Sequence, residues 1–265
     1  MKNRVYRNEE WLRKKYCEEK LSVFEIGELC NSDKCTIYKW LKEYKLYEGR
    51  TYRRRSQSCY KLNERYFEKI DTSNKAYWLG FIASDGYVGE KKGEKVLRLF
   101  LSSKDRKHLE KFKKEIKYEG PIYDGIIRKS RNYFYSILQI CSYQMVQNLI
   151  IYGIVSNKTK ILRRPNIDKK YYNHWIRGLF DGDGSVSILK KGHVAGEFFG
   201  TKDVMKFVVE NIPGTNTISK KKNCFGWYHS FGGNGTSRKI YEYLYKDAET
   251  FLERKKRIFL LTESK

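Results

Sequence analysis

The chain has 265 residues, of which 40% are hydrophobic and 15% aromatic, a composition that excludes a disordered protein and provides material for a folded core. Its 55 Lys and Arg residues outnumber its 31 Asp and Glu residues, and the net charge of +24 predicts a polyanionic partner, most often nucleic acid. The six cysteines form no Cys-x-x-Cys pair and the four histidines lack ligand spacing, which disfavours a zinc site. Without an apolar run of 18 residues or a signal-peptide pattern, we expect an intracellular protein, cytoplasmic or nucleoid-associated, with no membrane partner.

Residues 1–49 predict a small all-α domain. Its three predicted helices lie at residues 8–20, 23–30 and 33–44. Ser22 is a candidate cap of the second helix, and Asn31-Ser32 is a predicted turn before the third. We expect the second helix to turn Val23, Ile26 and Leu29 toward the core, and the third to turn Ile37 and Leu41 inward.

The segment 32–41, S-D-K-C-T-I-Y-K-W-L, resembles helix-turn-helix DNA-binding modules. In such a module the third helix enters the major groove, which would place Lys34, Thr36, Tyr38 and Lys39 against DNA. A three-helix protein-docking module is the alternative. Residues 50–72 then form a basic linker, predicted to lie along phosphates through Arg53, Arg54 and Arg55 or to act as a plain tether.

The rest of the chain is a duplication, with repeats at residues 73–165 and 166–265. A constant shift of 98 positions aligns Trp78–Asp105 with the second repeat at nine identical residues out of 28. In the first repeat we predict helices at 74–84, 105–116 and 142–152, and strands at 87–90, 96–101, 121–127 and 133–140 with a turn at 128–132. In the second we predict helices at 171–181, 202–211 and 237–245, strands at 186–189, 194–199, 217–220 and 227–231, and a terminal helix at 250–261. Hairpins alternating with helices predict an α+β fold with antiparallel sheets.

Each repeat opens with an apolar helix that ends in Asp-Gly, at Asp85 and Asp183. Gly80 and Gly178 leave room for two helices to pack closely, and Gly86 and Gly184 suit left-handed helix C-termini. A carboxylate at a helix C-terminus is electrostatically unfavourable, and two such groups side by side are worse. The pair is reasonable if a divalent cation lies between them, and oxygen ligands with incomplete protein coordination favour Mg²⁺.

The two motifs, W-L-G-F-I-A-S-D-G at Trp78–Gly86 and I-R-G-L-F-D-G-D-G at Ile176–Gly184, resemble the signatures of the LAGLIDADG homing endonucleases in their single-chain, two-repeat form. The resemblance implies two pseudo-twofold-related αββαββα repeats whose antiparallel sheets form a saddle over DNA. It implies that Asp85 and Asp183 bind the metal that drives phosphodiester hydrolysis and that the product is a double-strand break at a long site. It assigns a packing or capping role to the earlier acidic position, which is Asp181 in the second repeat and Ala83 in the first.

A basic residue completes each active centre in that family. The segments Y-G-I-V-S-N-K-T-K-I and F-L-E-R-K-K-R-I-F resemble the relevant stretches and indicate Lys158 and Lys255. Either lysine could instead be solvated or contact phosphate. The resemblance implies Mg²⁺ as cofactor, with Mn²⁺ as a substitute and Ca²⁺ supporting binding without cleavage.

DNA contacts are expected from the sheets and their hairpin tips. The candidates are Arg128, Lys129, Arg131, Tyr133, Lys190, Lys191, Lys220, Lys221 and Asn223. The expected partner is double-stranded DNA bound by a monomer, with intron RNA left open as a second partner. The alternative function is a non-cleaving binder, either an intron RNA maturase or a transcription regulator. A structural protein would explain neither the charge nor the repeated Asp-Gly.

Overall fold

The computed structural model describes residues 4–19, 21, 23–46, 60–91, 94–129, 131–190, 192–214, 216–222 and 224–261. Several predicted residues lie outside this set: Ser22, Arg53, Arg54, Arg55, Lys191 and Asn223. The side chains of Arg128, Lys129 and Arg131 also lie outside it, although their backbone belongs to paired strands. The chain divides into two compact units, Met1–Arg54 and Arg55–Lys265.

The first unit contains the three predicted helices. They are α1 (Glu9–Arg13), which continues as a π-helical turn at Lys14–Glu18, α2 (Val23–Leu29) and α3 (Lys34–Glu43). Leu12, Ile26, Ile37 and Leu41 form the buried core of this unit. Leu29 is an exception to the predicted pattern, because its side chain is 58% exposed at the end of α2.

Side-chain caps start two of these helices. Asn8 Oδ1 accepts the amide of Trp11 at 2.9 Å, and Asp33 Oδ1 accepts the amide of Cys35 at 2.6 Å. Between α2 and α3, a Cβ on Gly27 would lie 2.7 Å from the carbonyl oxygen of Ser32. Glycine at this position therefore lets the turn pass close to the helix.

The second unit consists of two repeats with the same order of elements. The first contains α4 (Ser73–Asp85), β1 (Gly86–Lys91), β2 (Glu94–Ser102), α5 (Arg106–Glu115), β3 (Ile122–Lys129), β4 (Arg131–Cys141) and α6 (Tyr143–Ile151). The second contains α7 (Tyr172–Asp183), β5 (Ser185–Ile188), β6 (Val194–Gly200), α8 (Lys202–Asn211), β7 (Ser219–Lys220), β8 (Trp227–Gly232), α9 (Asn234–Tyr245) and the terminal α10 (Glu253–Leu260). The predicted α+β architecture is confirmed.

The two antiparallel sheets share one topology, with strand orders β1-β2-β4-β3 and β5-β6-β8-β7. One face of each sheet packs against helices, and residues from that face join α4 and α7 in a single hydrophobic core. The predicted turn at 128–132 is wrong, because Arg128 pairs with Asn132 and Lys129 with Arg131 as the strands continue toward the hairpin tip.

The terminal helix begins at Glu253, later than predicted. Thr250 is instead tied to neighbouring elements, because its carbonyl accepts Arg177 Nε at 3.0 Å and its hydroxyl donates to Asn74 Oδ1 at 2.8 Å. These contacts hold residue 250 outside the helix.

The motif helices α4 and α7 cross at the centre of the second unit with their backbones in close approach. A Cβ on Gly80 would overlap the carbonyl oxygen of Trp175, and one on Gly178 would overlap that of Tyr77. A Cβ on Gly182 would overlap the hydroxyl of Ser84, one turn further along. The close packing predicted at Gly80 and Gly178 is confirmed.

The left-handed conformation predicted for Gly86 and Gly184 is wrong. Their φ angles are −79° and −71°, so both are extended and lead directly into strands. Glycine is needed there for space, because a Cβ on Gly86 would lie 2.6 Å from the carbonyl oxygen of Ile82, and one on Gly184 would lie 2.6 Å from that of Phe180. Among the described residues, no helix is both long and apolar enough to cross a membrane.

Candidate active site

Asp85 and Asp183 are the last residues of the two crossing helices. The helix crossing brings them together, since a Cβ on Gly182 would lie 3.5 Å from Asp85 Cγ. Desolvation and the charge of Asp183 raise the pKa of Asp85 to about 6. Desolvation also raises the pKa of Asp183, although part of this residue remains exposed to solvent. The two carboxylates destabilise each other's charged form.

Each carboxylate has a buried lysine beside it. Lys158 is 8% exposed and donates from Nζ to the carbonyls of Ser84, at 3.2 Å, and Gly86. Lys255 is 3% exposed and donates to the carbonyls of Phe180, Gly182 and Gly184 at 2.7, 3.0 and 2.5 Å. Each ammonium group therefore satisfies carbonyls at the C-terminus of one motif helix, where the helix dipole favours a cation.

The local sequence explains how the lysines reach these positions. Lys158 opens a 3₁₀ turn directly after Asn157, whose φ of 58° is left-handed, and Lys255 lies in the first turn of α10. Burial is the largest influence on both side chains and lowers their pKa values, to about 8 for Lys255. The charges of Asp85 and Asp183 act in the opposite direction on each lysine.

Asp181 has a different environment from Asp183, although it is only two residues away. Its buried carboxylate accepts the hydroxyls of Tyr245 at 2.6 Å and Tyr77 at 2.9 Å, and the amide of Leu252 at 2.7 Å. The packing and capping role expected from the resemblance matches these bonds. The counterpart in the first repeat, Ala83, has no polar side chain. Asp181 is hydrogen-bonded to Leu252, close to Lys255 in the chain, and Ala83 can form no such bond in the first repeat.

The motif did not identify the other members of this buried network. Arg177 donates from Nη1 to the carbonyl of Leu244 at 2.9 Å and lies over the Tyr77 ring, while the Tyr77 hydroxyl contacts His108 Nε2 at 2.8 Å. The sequence signal for this network was Arg177 itself, which follows Ile176 in the second motif. A charged side chain on a buried helix needs buried partners.

The donor set of Asp85 and Asp183 fits a divalent cation. Within the described residues neither carboxylate accepts a hydrogen bond or forms an ion pair, in contrast to Asp181. Two crowded, unsatisfied carboxylates are the oxygen ligands that Mg²⁺ prefers. Over the same residues, no group of three or more His, Cys, Asp or Glu side chains is placed to hold a metal. Water and phosphate oxygens would have to supply the remaining ligands.

The predicted DNA contacts on the sheets lie in different settings. Tyr133 is exposed on β4, and Lys190 is exposed just after β5. Lys221 forms an ion pair with Glu197 at 3.0 Å on the sheet face that is turned away from the helices. Lys220 lies opposite Trp227 in the antiparallel pairing of β7 and β8, and Trp227 packs against the core. Because residues that lie opposite each other share a face of the sheet, Lys220 points to the helix side.

In the first unit, Lys34, Tyr38 and Lys39 are exposed along α3, as predicted. The hydroxyl of Thr36 donates to Asp33 Oδ2 at 2.7 Å and so belongs to the helix cap. The exposed side chains of Lys34, Tyr38 and Lys39 are compatible with the predicted DNA-binding role.

No protein-family model and no curated protein matches the chain. Among solved structures, the I-LtrWI LAGLIDADG homing endonuclease bound to target DNA is similar at 14% identity and a TM-score of 0.50, over 76% of this chain and 91% of that one. I-SmaMI bound to cleaved DNA gives 13% identity, a TM-score of 0.49 and coverage of 74% and 89%. I-SmaMI bound to uncleaved DNA with calcium gives 16% identity, a TM-score of 0.42 and coverage of 64% and 83%. Two glycine-bearing helices that cross between two four-stranded sheets give this chain the two-repeat fold of the LAGLIDADG homing endonucleases.

Proposed function

We propose that this chain is a LAGLIDADG endonuclease that makes a metal-dependent double-strand break at a long DNA site. The observation that carries the proposal is the meeting of Asp85 and Asp183 at the ends of two crossing helices, each beside a buried lysine. An arrangement of two like charges opposes folding, and a role in cation binding gives it a physical reason.

Asp85 and Asp183 would hold the metal. When bound, Mg²⁺ would polarise the scissile phosphate, activate water and stabilise the leaving oxygen. Lys158 and Lys255 would place fixed positive charge beside the phosphate and would oppose the build-up of negative charge in the transition state. Their backbone hydrogen bonds pre-organise them, so little rearrangement accompanies the reaction. We expect Mn²⁺ to replace Mg²⁺ and Ca²⁺ to support binding only.

The net charge of +24 supports double-stranded DNA as the partner. One chain supplies both acids, which supports a monomer as the active form. We assign the first unit to helix-turn-helix binding through Lys34, Thr36, Tyr38 and Lys39, and the linker residues Arg53, Arg54 and Arg55 to phosphate contacts. We assign repeats 73–165 and 166–265 to the nuclease, whose core also includes Tyr66, Phe67 and Ile70 from the end of the predicted linker. Lys158 and Lys255 complete the proposed centre.

The test is a cleavage-site selection from a randomised duplex library in Mg²⁺, with Ca²⁺ in parallel. On the selected site, Asp85→Asn and Asp183→Asn should each lower double-strand cleavage by at least about 100-fold, a loss typical of removing a catalytic electrostatic group, while the Kd stays within about threefold. Asp247→Asn, at an exposed acid near His174 and so near the end of α7 opposite to Asp183, is the matched control and should cleave normally. Metal-dependent cutting that survives both motif substitutions would refute the proposal, and tight binding without cleavage by the wild-type chain would favour the maturase or regulator alternative.

A further inference from the structure

The two sheets differ in the chemistry of their open faces, which we define as the faces turned away from the helices. On the first sheet, alternation from the buried residues Leu97, Leu99 and Leu138 defines the helix side. The open face of that sheet is mainly aromatic and aliphatic, with Tyr87, Phe100, Tyr123, Ile127, Tyr133 and Tyr135 among its described side chains. The open face of the second sheet carries mainly hydroxyls and charges, at Ser185, Ser187, Glu197, Ser219, Lys221 and Ser230, beside two aromatic side chains, Phe199 and Tyr228.

Several side chains on the open face of the first sheet are held in place by contacts with one another. Phe100 and Tyr135 stack with ring centroids 4.6 Å apart, and the ring of Tyr135 covers Gly125, where a Cβ would overlap it. Arg98 is the one charged residue among the described side chains of this face. Gln139 accepts its guanidinium at 3.0 Å and the Tyr87 ring lies beneath it, so its orientation is fixed.

This face continues directly from the candidate active site. β1 begins at Gly86, so Tyr87 is two residues from Asp85 on the open side. β4 has 11 residues, a length of about 37 Å at ~3.4 Å per residue, which is close to one turn of B-DNA. A paired strand ribbon fits the major groove, and the only apolar group that a base presents there is the C5-methyl of thymine.

We propose that the first sheet recognises its half of the DNA site through thymine methyl groups, while the second sheet reads the other half through hydrogen bonds. This inference rests on the proposed DNA-binding function. The Phe and Tyr rings and the Ile side chain of this face remove methyl groups from water, and its donors are mainly tyrosine hydroxyls at the tips of those rings. The serines, Glu197 and Lys221 of the second sheet can donate and accept hydrogen bonds.

The experiment replaces thymidine by deoxyuridine, which removes only the methyl group. The wild-type protein is titrated without Mg²⁺ against its selected duplex, unmodified or with uracil in one half-site at a time. Burial of a methyl is worth about a fourfold change in affinity. Uracil in the half read by the first sheet should therefore raise the Kd about fourfold for each contacted base, and uracil in the other half should change it less than twofold.

Two neighbouring residues of β3 identify the half-site and provide a matched control. Ile127 is 39% exposed on the open face and Ile126 is 43% exposed on the opposite face, so both substitutions to serine are equally mild for folding. Ile127→Ser should relax the thymine preference in one half-site and reduce its sensitivity to uracil. Ile126→Ser should leave both properties unchanged.

Equal sensitivity of the two half-sites to uracil, or equal behaviour of the two serine variants, would overturn the inference. A dimer that Ile127→Ser dissociates without altering base preference would assign this face to protein docking and would also overturn it. Failure of the proposed function is distinguishable, because the wild-type protein would then select no site before any uracil is introduced.

Discussion

The backbone amide of Leu252 donates a 2.7 Å hydrogen bond to Asp181 Oδ2, and Leu252 is the residue that precedes helix α10. Asp181 lies on α7 two residues before Asp183, and α10 carries Lys255. One buried carboxylate therefore links the helix that ends in a candidate metal ligand to the helix that supplies the adjacent lysine. In the first repeat Ala83 provides no such link.

Asp181→Ala should destabilise the protein strongly. It leaves the hydroxyl of Tyr245 and the amide of Leu252 without their buried acceptor, and each unsatisfied group costs about 1–3 kcal/mol. The Tyr77 hydroxyl loses one of its two partners and keeps His108 Nε2. We expect a loss of roughly 3 kcal/mol or more in the free energy of unfolding, measured by urea denaturation. Asp247→Asn is the control on the surface, and a change below about 0.5 kcal/mol for Asp181→Ala would contradict the network.

Asp85→Asn should stabilise the metal-free protein at neutral pH. The pKa of Asp85 is raised to about 6 in the fold, so the charged form is disfavoured in the folded state above that pH and the penalty fades as the pH falls toward 3.8. In EDTA at pH 7.5 we expect a Tm increase of about 2–4 °C, corresponding to roughly 1 kcal/mol after discounting for solvent screening.

The same comparison at pH 4 provides the internal control, because Asp85 is then largely protonated in the fold and the gain should shrink toward zero. A variant less stable than the wild type at pH 7.5 would show that the carboxylate contributes favourable contacts, against the pKa argument.

Gly80→Ala should damage the helix crossing. Its added Cβ would overlap the backbone of Trp175, which cannot move without shifting α7, so we expect a cost of about 2–3 kcal/mol or more, measured by urea denaturation. Gly235→Ala, in α9 with no atom within 4 Å of the added Cβ, is the matched control. It should be neutral or stabilising by up to about 1 kcal/mol. Similar stabilities for the two variants would argue against the close crossing.

Binding should depend steeply on salt, falling by orders of magnitude between about 50 and 200 mM if several phosphates are neutralised. If the first unit contacts DNA through α3, Lys34→Ala combined with Lys39→Ala should lower the slope of log K against log salt by about two. Lys239→Ala with Lys246→Ala, two exposed lysines at α9, should leave the slope unchanged. Equal slopes for both double variants would remove α3 from the DNA interface.

The local pattern of the sequence determined most of the architecture. Periodicity and turn residues located the helices and strands of both repeats, and the shift of 98 positions predicted their common topology. Helix-ending acids and small residues at one-turn spacing were also sufficient to indicate the crossing of α4 and α7. These features depend on neighbours a few residues apart, which a sequence displays directly.

The tertiary structure alone decided the rest. The three partners of Asp181 lie 64, 71 and 104 residues away, and no local pattern selects Tyr245, Leu252 and Tyr77. Strand pairing, rather than composition, placed Lys220 and Lys221 on opposite faces of the second sheet and placed Tyr87, Phe100 and Tyr133 on the open face of the first. Glycine is required at positions 86 and 184 by lack of space rather than by the backbone φ angle. The clash of an added Cβ arises only because each helix end turns directly into a strand.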